Sequence, residues 1–463
     1  MREMLKTSGL RHPVFPQGDG ELRGHVEPSG SKSGRWSPAR RPYRTEGDQK
    51  PEVGGQEKAD KQSVLKAQIP TLRVALLTGG GDKPYALGVA AALTSHGIFV
   101  DFIGSDELSV PAVLNNSRVT FLNLRGSQQA DASPFSKAWR ILKYYIRLIS
   151  YATTAQPKVF HLLWNNKFEL FDRTLLMIYY RILGKKITLT VHNVNARKRD
   201  SNDSFLNRLS LRLQYNFCDH IFVHTERMRS ELVSDFRIPM SKVSVIPFGI
   251  NNTVPNTALS TEDAKRQTGV DSRDKALLFF GNITPYKGLE YLISAFGVLL
   301  TKDRSYRLII AGRPKGSQTY WKKIQQAIAR GGISDRIIQQ IEYVPDELTE
   351  LYFKAADVLI LPYTHIFQSG VLFLGYSFGL PAIAADVGAL EEEIIEGETG
   401  FMFKSRDSID LACKIDKYFN SELFGGLENR RKQIREHANE RYSWDKVAAI
   451  TMAVYSRLLT SDI

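Results

Sequence analysis

Cysteine is scarce in this sequence of 463 residues, which contains only Cys218 and Cys413, far apart and without a Cys-x-x-Cys pair. This scarcity excludes a disulfide scaffold and gives no sign of a zinc site. The sequence also has no apolar run near the ~20 residues that cross a bilayer. The N-terminus, MREMLKTSGLRHPVFPQGDG, lacks the apolar centre of a secretory signal. We therefore expect a cytoplasmic chain.

Metal-binding patterns are missing as well. No Asp-x-Asp pair occurs, and such a pair would be the usual ligand set for a divalent metal that holds a diphosphate. His220 and His224 are four residues apart, but HIFVHT has the composition of a buried strand, in which that spacing separates two side chains by ~13 Å. The sequence thus predicts no metal site.

Positive charge is in excess, with a formal net charge of +13. Residues 1–70 carry 13 Lys and Arg against 9 Asp and Glu, a net charge of +4, so +9 belongs to the rest of the chain. Such an excess suits anionic partners such as phosphate ligands, acidic lipid or nucleic acid, and charge alone does not choose among them.

The chain is long enough for two domains and a tail. Residues 1–68 are rich in Gly, Pro, Ser and charge, which predicts a disordered extension; a wrongly assigned start codon would leave the same pattern. Strand-like and helix-like segments then alternate twice, and this pattern predicts an α/β protein with two doubly wound parallel sheets. The expected divisions are a first domain at 70–255, a linker at 256–275, a second domain at 276–438 and a final helix at 439–463.

The stretch FFGNITPYKG carries the strongest chemical signal. An apolar strand ends at Gly281, and Lys287 follows immediately before a helix. A strand-to-helix turn offers free backbone N–H groups and the positive end of a helix dipole, to which the lysine adds a point charge. A second strand, polar turn and helix follow at Gln368, Ser369 and Gly370. Two anion-binding turns in one parallel-sheet domain predict a nucleoside-diphosphate ligand.

From about Arg73 onward the sequence resembles the family-4, retaining glycosyltransferases of GT-B fold. The resemblance lies in the order of four elements: GNITPYKGLEYLISAF, LIIAGRPKG, YVPDELTELYFKAADVLILP and GLPAIAADVGALEEEIIEGETGFMF. It implies two Rossmann-like domains facing a cleft, with the C-terminal helix crossing back to the first domain. It also implies sugar transfer from a nucleoside-diphosphate sugar, bound mainly by the second domain, to an acceptor on the first.

The resemblance assigns donor-binding roles by position. Lys287 is expected to neutralise the departing diphosphate. The other donor-side residues that we expect are Gly281, Asn282, Gly312, Arg313, Gln368, Ser369, Gly370, Val371 and Glu392.

The sequence departs from the family pattern in two places. Asn282 stands where the family usually has an arginine that pairs with the lysine, and Arg313 is the candidate to compensate. The family's E-x7-E glutamates, which hold the donor sugar and ribose, align with Ile366 and Leu374, neither of which accepts a hydrogen bond. The departure indicates a divergent subgroup, and an inactive enzyme is the alternative. Glu392 matches a glutamate of the family's GGLPE turn, although three consecutive glutamates also suit a solvated helix start.

In the first domain, Gly79, Gly80 and Gly81 follow the first strand and permit close approach of a ligand; a tight turn alone would need them too. His192 ends a strand in LTVHNVNA, where open α/β sheets bind ligands. By resemblance it contacts the transferred sugar, and a purely structural histidine is the alternative.

The helix expected at 136–152 has a basic face. Lys137, Arg140, Lys143 and Arg147 recur three and four apart, opposite an apolar set. That apolar set is Trp139, Leu142, Tyr145, Ile146 and Ile149. A basic amphipathic helix suits peripheral attachment to an anionic membrane, here the inner face, and an ordinary packed helix with a solvated outer face gives the same pattern.

The sequence therefore favours a metal-independent glycosyltransferase that needs no cofactor beyond its nucleotide sugar and acts on a glycan or lipid-linked acceptor, not on nucleic acid. An NAD-dependent oxidoreductase fits less well, because Pro84 replaces the third glycine of a G-x-G-x-x-G pattern. A nucleotide-sugar epimerase of similar fold and a non-catalytic protein that binds sugar nucleotides or a membrane surface remain alternatives.

Overall fold

The computed structural model describes residues 72–460 apart from 129–132, 167, 200–201, 253 and 317. The predicted disordered extension at 1–68 lies outside these residues. The described residues all belong to one folded unit, Gln68–Ile463.

A seven-stranded parallel sheet organises the first half, in the order β3-β2-β1-β4-β5-β6-β7. Its strands are β1 (Arg73–Leu77), β2 (Phe99–Gly104), β3 (Val119–Asn123), β4 (Val159–Leu162), β5 (Lys186–Thr190), β6 (His220–Val223) and β7 (Val243–Val245). β4 and β6 are buried along their whole length, and β1, β2 and β5 are buried at every residue but the first, as expected of parallel strands covered on both faces.

Helices cover both faces of this sheet. They are α1 (Lys83–Ser95), α2 (Pro111–Leu114), α3 (Pro134–Thr154), α4 (Glu169–Arg173), α5 (Leu175–Ile182), α6 (Ala196–Arg199), α7 (Phe205–Phe217) and α8 (Glu226–Phe236). The buried sides of α3, α5 and α7 share one apolar core with the sheet, while α1 belongs to another. Short 3-10 turns at Asp106–Leu108 and Met240–Lys242 complete this half.

A six-stranded parallel sheet organises the second half, in the order β10-β9-β8-β11-β12-β13. Its strands are β8 (Lys275–Phe280), β9 (Tyr306–Ala311), β10 (Ile337–Gln340), β11 (Val358–Leu361), β12 (Ala382–Ala385) and β13 (Gly400–Phe403). The helices that precede, connect and follow these strands are α9 (Thr261–Thr268), α10 (Leu289–Lys302), α11 (Gln318–Arg330), α12 (Asp346–Ala355), α13 (Gly370–Ser377), α14 (Leu390–Glu393), α15 (Ser408–Phe419), α16 (Glu422–Gly425) and α17 (Leu427–Arg441). The fold expected from the sequence, two Rossmann-like parallel sheets in GT-B order, is confirmed.

The last helix, α18 (Trp444–Thr460), returns to the first half and packs against α1. Tyr455 lies in the core beneath β1, and its hydroxyl is 2.6 Å from Nδ1 of His161 on β4. Trp444 occupies space left by Gly88, where a Cβ would come within 2.1 Å of the indole ring.

Two sequence expectations need correction. The interval 256–275 is not a plain linker, because it contains α9, which packs against α12 of the second half. The helix expected at 136–152 runs further at each end, as α3, and the apolar set named for it is divided between two sides of the helix. Tyr145 is buried, but Trp139, Leu142, Ile146 and Ile149 are exposed, because the sheet is covered by the Tyr144, Tyr145, Leu148 and Ala152 side of the helix.

None of the described helices combines the length and the apolar character that crossing a membrane requires.

Each sheet has one point at which its strand order reverses, between β1 and β4 in the first half and between β8 and β11 in the second. Ligands of open α/β sheets bind beyond the carboxyl ends of the strands at such points. The glycine loop at 79–81 follows β1, and the Lys287 turn follows β8, so both predicted site segments stand at switch points.

Candidate functional site

A cavity of about 310 Å³ lies where the two halves of the chain face one another. The first half contributes Asp82, Pro84, Tyr85, Phe248, Gly249, Ile250 and Asn251. The second half contributes Tyr286, Lys287, Tyr363, Ile366, Gln368, Ser369, Gly370, Val371 and Leu374, and Trp444 comes from the last helix. Four of the donor-side residues expected from the sequence therefore meet Lys287 around one space.

Lys287 is the buried cation of this cavity. It ends a 3-10 turn, Pro285–Lys287, that follows β8, and its Nζ donates to the carbonyl oxygen of Phe280 at 3.3 Å. The Tyr363 ring centre lies 5.4 Å from Nζ. Burial lowers the pKa of Lys287, Tyr286 opposes this shift without cancelling it, and no carboxylate of the described residues forms an ion pair with the ammonium group. The ammonium group therefore lacks an anionic partner.

Gly281 makes room for that ammonium group. A Cβ at this position would lie 2.8 Å from Lys287 Nζ, and the backbone has a φ of +98°, which disfavours any side chain. A side chain at position 281 would therefore displace the Lys287 ammonium group, so this position has to be glycine.

The N-terminus of α13 opens on the same cavity. Ser369 is its N-cap and is buried, with its Oγ accepting from the Leu372 amide at 3.3 Å, and Gly370 and Val371 form the first turn. Unpaired amides of a first helical turn and the helix dipole both favour an anion. Lys287 and this helix start therefore form one positive wall.

Apolar side chains occupy the positions where the family carries its two glutamates. Ile366 and Leu374 both line the cavity and are largely buried. A hydrogen bond to a sugar hydroxyl on this side must come from another residue.

Gln368 supplies such a group. Its amide lies near enough to the buried Glu393 to lower the pKa of that carboxyl group, while its Oε1 is buried without a hydrogen-bond partner. Glu393 also accepts from the Tyr442 hydroxyl, and its own backbone carbonyl accepts from the Tyr376 hydroxyl at 2.9 Å. Burial raises the pKa of Glu393, against the hydrogen bond from Tyr442. The carboxyl group thus fixes the amide so that its oxygen is left for a ligand.

Glu393 was missed in the sequence, where Glu392 was preferred. The Glu392 side chain is exposed and does not line the cavity, although its backbone carbonyl accepts from Arg441 Nη2 at 2.6 Å. In the run Glu391–Glu393 only the third glutamate is buried, because it ends α14 on the side facing Tyr376 and Tyr442. Because its partner Tyr442 is 49 residues away along the chain, nothing in the local sequence distinguishes Glu393 from the two neighbouring glutamates.

Asn282 and Arg313 are close to each other but outside the cavity lining. Both are exposed, and the Ile283 amide donates to the Arg313 carbonyl oxygen at 2.9 Å. The Arg313 guanidinium lies 5.3 Å from the Tyr343 ring centre instead of pointing to Lys287. Gly312, beside Arg313, lies against Gly281, whose carbonyl oxygen would be 1.9 Å from an added Cβ.

The glycine loop of the first half lies against two side chains. A Cβ on Gly80 would come within 2.0 Å of Nη1 of Arg125, and one on Gly81 would collide with the Trp164 ring. Gly79 meets the Trp164 backbone in the same way. Arg125 Nη1 is buried without a hydrogen-bond partner. The loop therefore covers a guanidinium group that sequence reasoning did not identify.

His192 lies two residues after the end of β5 and is one side chain away from the cavity. Its ring stacks on Trp164 at 4.2 Å and meets Tyr85, which lines the cavity, edge to face at 4.7 Å. His192 itself lines a second space of about 200 Å³ with Trp164. Its Nε2 is buried without a partner.

His192 and His224 form a neutral pair, with Nδ1 of the first 3.0 Å from Nε2 of the second. Burial, reinforced by His224, lowers the pKa of His192 well below 6.5, and burial lowers that of His224 to about 4. His224 Nδ1 faces the Ile246 carbonyl oxygen, which only accepts, so His192 is the donor within the pair.

His220 points elsewhere, to Ser244 and Arg457. Across the described residues, no group of three or more His, Cys, Asp or Glu side chains could hold a metal ion.

Two family models match the chain. Residues 79–253 match "Glycosyltransferase Family 4", and residues 260–441 match "Glycosyl transferases group 1". Together they cover both halves that face the cavity.

Curated relatives agree with these matches. The D-inositol 3-phosphate glycosyltransferase of Corynebacterium glutamicum is 25% identical over 402 residues, which cover 83% of this chain and 93% of the relative. The enzyme of the same name from Corynebacterium efficiens is 27% identical over 279 residues, which cover 59% of this chain and 64% of the relative. This chain thus spans under two thirds of the length of the latter.

Solved structures share the fold. Sucrose-phosphate synthase from Thermosynechococcus elongatus superposes with a TM-score of 0.68 at 17% identity, covering 84% of this chain and all of that one. Anabaena HepE in complex with UDP-glucose gives a TM-score of 0.64 at 16% identity, covering 83% of this chain and all of that one.

Proposed function

Because the chain belongs to the family-4 glycosyltransferases, we propose that it transfers a sugar from a nucleoside-diphosphate sugar in the cavity between its halves to a glycan or lipid-linked acceptor. The observation that carries this proposal is the buried Lys287 ammonium group, which has no acidic partner in the described chain and stands beside the start of α13. A buried cation without a counter-ion is costly, and a diphosphate would supply the missing charge.

In the proposed reaction, the bond between the anomeric carbon and the diphosphate oxygen breaks. The acceptor hydroxyl forms the new glycosidic bond, and its proton goes to the departing nucleoside diphosphate. Lys287 and the first amides of α13 stabilise the negative charge that develops on the diphosphate. We propose that no metal ion takes part and that the anomeric configuration is retained, the latter on family membership alone.

Gln368 is proposed to recognise the donor sugar. The oxygen of its amide is unpartnered and held in place by Glu393, so it can accept from a sugar hydroxyl without reorganisation. This would replace the hydrogen bonds that the family's glutamates make, since Ile366 and Leu374 cannot make them. Anabaena HepE, with UDP and glucose in its crystal structures, is the precedent for a nucleotide sugar in this fold.

The acceptor is proposed to enter over the glycine loop of the first half. Arg125, unpartnered at Nη1 behind Gly80, would attract an acceptor that carries a negative group. The named relatives, which are D-inositol 3-phosphate glycosyltransferases, support an acidic acceptor of this kind. His192 is proposed to position the transferred sugar through Tyr85 and its own Nε2, and not to act as a base.

Thermal denaturation in the presence of UDP-, ADP-, GDP- and TDP-sugars tests the donor assignment, because a ligand of the native state raises the apparent stability. We expect one nucleotide class to raise the melting temperature in the wild-type protein and not in Lys287→Ala. Lys302→Ala, which alters a lysine at the far end of α10, is the matched control. Stabilisation that persists in Lys287→Ala would contradict the proposed diphosphate site.

A further inference from the structure

One side of the first half exposes an unusual amount of apolar surface. Thirteen of the eighteen large apolar side chains that are exposed in the described chain lie between residues 135 and 209, on α3, α5, α7 and the segment around α4. They are Phe135, Trp139, Leu142, Ile146, Ile149, Phe168, Leu170, Leu175, Ile178, Ile182, Phe205, Leu206 and Leu209. We call this set the outer apolar face.

The outer apolar face is separate from the core. On α3 the packed side bonds inward, with the Tyr145 hydroxyl donating to the buried Asp172 and the Tyr144 hydroxyl to Asn166. The exposed residues of the same helix recur four, three, four and three residues apart, from Phe135 to Ile149, and so form one stripe along its outer side. A helix needs only one apolar side to pack on its own core, so the second apolar side of α3 is left for another partner.

The exposed residues of neighbouring helices form one surface. The Tyr179 hydroxyl of α5 donates to the Ile149 carbonyl oxygen of α3 at 3.2 Å. Arg181 of α5 donates to the Phe217 carbonyl oxygen at the end of α7 at 2.9 Å. The three helices also share one core cluster on the same face of the sheet. Contiguous exposed apolar patches of this extent mark interaction sites.

The charge around this surface has one sign. The helices α3, α5 and α7 contain seven basic residues and no acidic residue. The basic residues are Lys137, Arg140, Lys143, Arg147, Arg181, Arg208 and Arg212.

The acidic groups nearby are occupied. Asp172 is buried, Glu169 pairs with Arg173 and Arg197, Asp203 pairs with Arg208, and Asp219 lies near Arg181. Lys143 and Arg147 are exposed beside the stripe and have no ion pair within the described residues.

We propose that the outer apolar face docks on an anionic lipid bilayer, with Trp139 and Ile146 entering the interface and the exposed Lys143 and Arg147 contacting the headgroups. Exposed apolar side chains flanked by Lys and Arg are what a helix lying in the interface requires. A second copy of the chain is the poorer partner, because two such faces would bring the exposed Lys143 and Arg147 of each copy together, and α3, α5 and α7 contain no acidic residue to offset them. The docking does not depend on which nucleotide sugar is used.

Co-sedimentation of the full-length protein with vesicles tests the proposal, comparing phosphatidylcholine with 30% phosphatidylglycerol against pure phosphatidylcholine. We expect binding to the anionic vesicles only, weakening as salt is raised. The double variant Trp139→Glu/Ile146→Glu should lower the affinity at least tenfold. The control Leu348→Glu/Ile409→Glu should leave it unchanged, since these side chains are 52% and 59% exposed on the second half, against 59% and 58% for Trp139 and Ile146.

A second pair of variants separates charge from apolar contact. Lys143→Glu/Arg147→Glu should weaken binding at least tenfold, and Lys322→Glu/Lys323→Glu, the same charge change on exposed α11 lysines, should not. Unchanged nucleotide-sugar binding and an unchanged far-UV spectrum would show that each variant is folded.

Three outcomes would overturn the proposal. One is no binding to anionic vesicles at low salt. Another is an equal loss of vesicle binding in the control variants Leu348→Glu/Ile409→Glu and Lys322→Glu/Lys323→Glu. The third is a lipid-free dimer that Trp139→Glu/Ile146→Glu dissociates while vesicle binding stays unchanged, which would make the face a self-association surface.

Discussion

The Lys287 ammonium group lies 5.4 Å from the centre of the Tyr363 ring, and both residues line the cavity between the two halves of the chain. The ring face offers weak electrostatic attraction to a cation and cannot replace an anion. The Tyr363 ring therefore holds Lys287 in place while its charge stays available. This arrangement sets the expectations for the first two predictions.

Replacing Lys287 with Ala should reduce kcat/KM by roughly 30- to 1000-fold, the equivalent of about 2–4 kcal/mol for one preorganised charge partner. The measurement is steady-state release of nucleoside diphosphate in the presence of acceptor. Wild-type turnover in a folded Lys287→Ala protein would contradict the assignment.

Activity should also fall at alkaline pH, and earlier than the ordinary lysine pKa of 10.5 would suggest. Burial lowers the pKa of Lys287, so the ammonium form is present below the lowered value and is lost as pH rises through it. A profile of kcat/KM against pH should show this basic limb. In Lys287→Arg, whose guanidinium stays charged, the residual activity should persist to higher pH. If kcat/KM falls at the same alkaline pH in the wild-type protein and in Lys287→Arg, the fall is caused by a group other than Lys287.

Replacing Gln368 with Leu should weaken binding of the intact nucleotide sugar about tenfold and leave binding of the free nucleoside diphosphate nearly unchanged, because only the sugar contact is removed. Glu393→Gln should act in the same direction, since the Gln368 amide loses the neighbouring carboxyl group. Glu392→Gln is the matched control at the exposed neighbour. Calorimetric titration with both ligands checks this, and a larger effect at Glu392 would restore the role expected for it from the sequence.

Stability should decrease on acidification below neutral pH, partly through His161. Burial lowers its pKa to about 3, so the native state stays neutral while the unfolded chain takes up a proton below about 6.5. Stability is then full above 6.5 and declines toward 3, by about 2 kcal/mol between pH 7 and pH 5 for this one group. In urea titrations, His161→Gln should show a smaller decline than the wild-type protein. Equal pH dependence in both proteins would exclude this role of His161.

Transfer should survive a chelator, because Lys287 and the start of α13 are proposed to neutralise the diphosphate without a metal ion. Activity measured with and without EDTA checks this expectation. Complete loss in EDTA, restored by magnesium or manganese, would require a different means of charge neutralisation.

Much of the fold could be predicted from the sequence because buried parallel strands such as those at Val74–Leu77 and Leu359–Leu361 are short apolar runs with turns at both ends. The positions of Gly281 and Lys287 could be predicted for the same reason, since strand ends and helix starts are local features. The interdomain cavity combines segments that are hundreds of residues apart. The sequence motifs indicated the individual segments, but they carried no information about how these segments are arranged around the cavity.

The packed side of α3 could not be predicted, because the helix has two apolar sides. The apolar set named from the sequence includes Trp139, Tyr145 and Ile146, of which only Tyr145 packs on the sheet. Its hydroxyl and that of the neighbouring Tyr144 donate to Asp172 and Asn166. Such partners lie outside the helix, so periodicity carries no information about them. Glu393 was missed for a similar reason, because Tyr442 singles it out from two neighbouring glutamates.

The position of α18 has a consequence for synthesis on the ribosome. Tyr455, Val447 and Val454 fill the cores on one side of the first sheet, and Trp444 donates from Nε1 to the Ile250 carbonyl oxygen. At 5–20 residues per second, roughly 10 to 40 s pass between emergence of β7 and of α18. Throughout that interval α18 does not yet cover its side of the first sheet. The first half is therefore synthesised first, and its core is completed last.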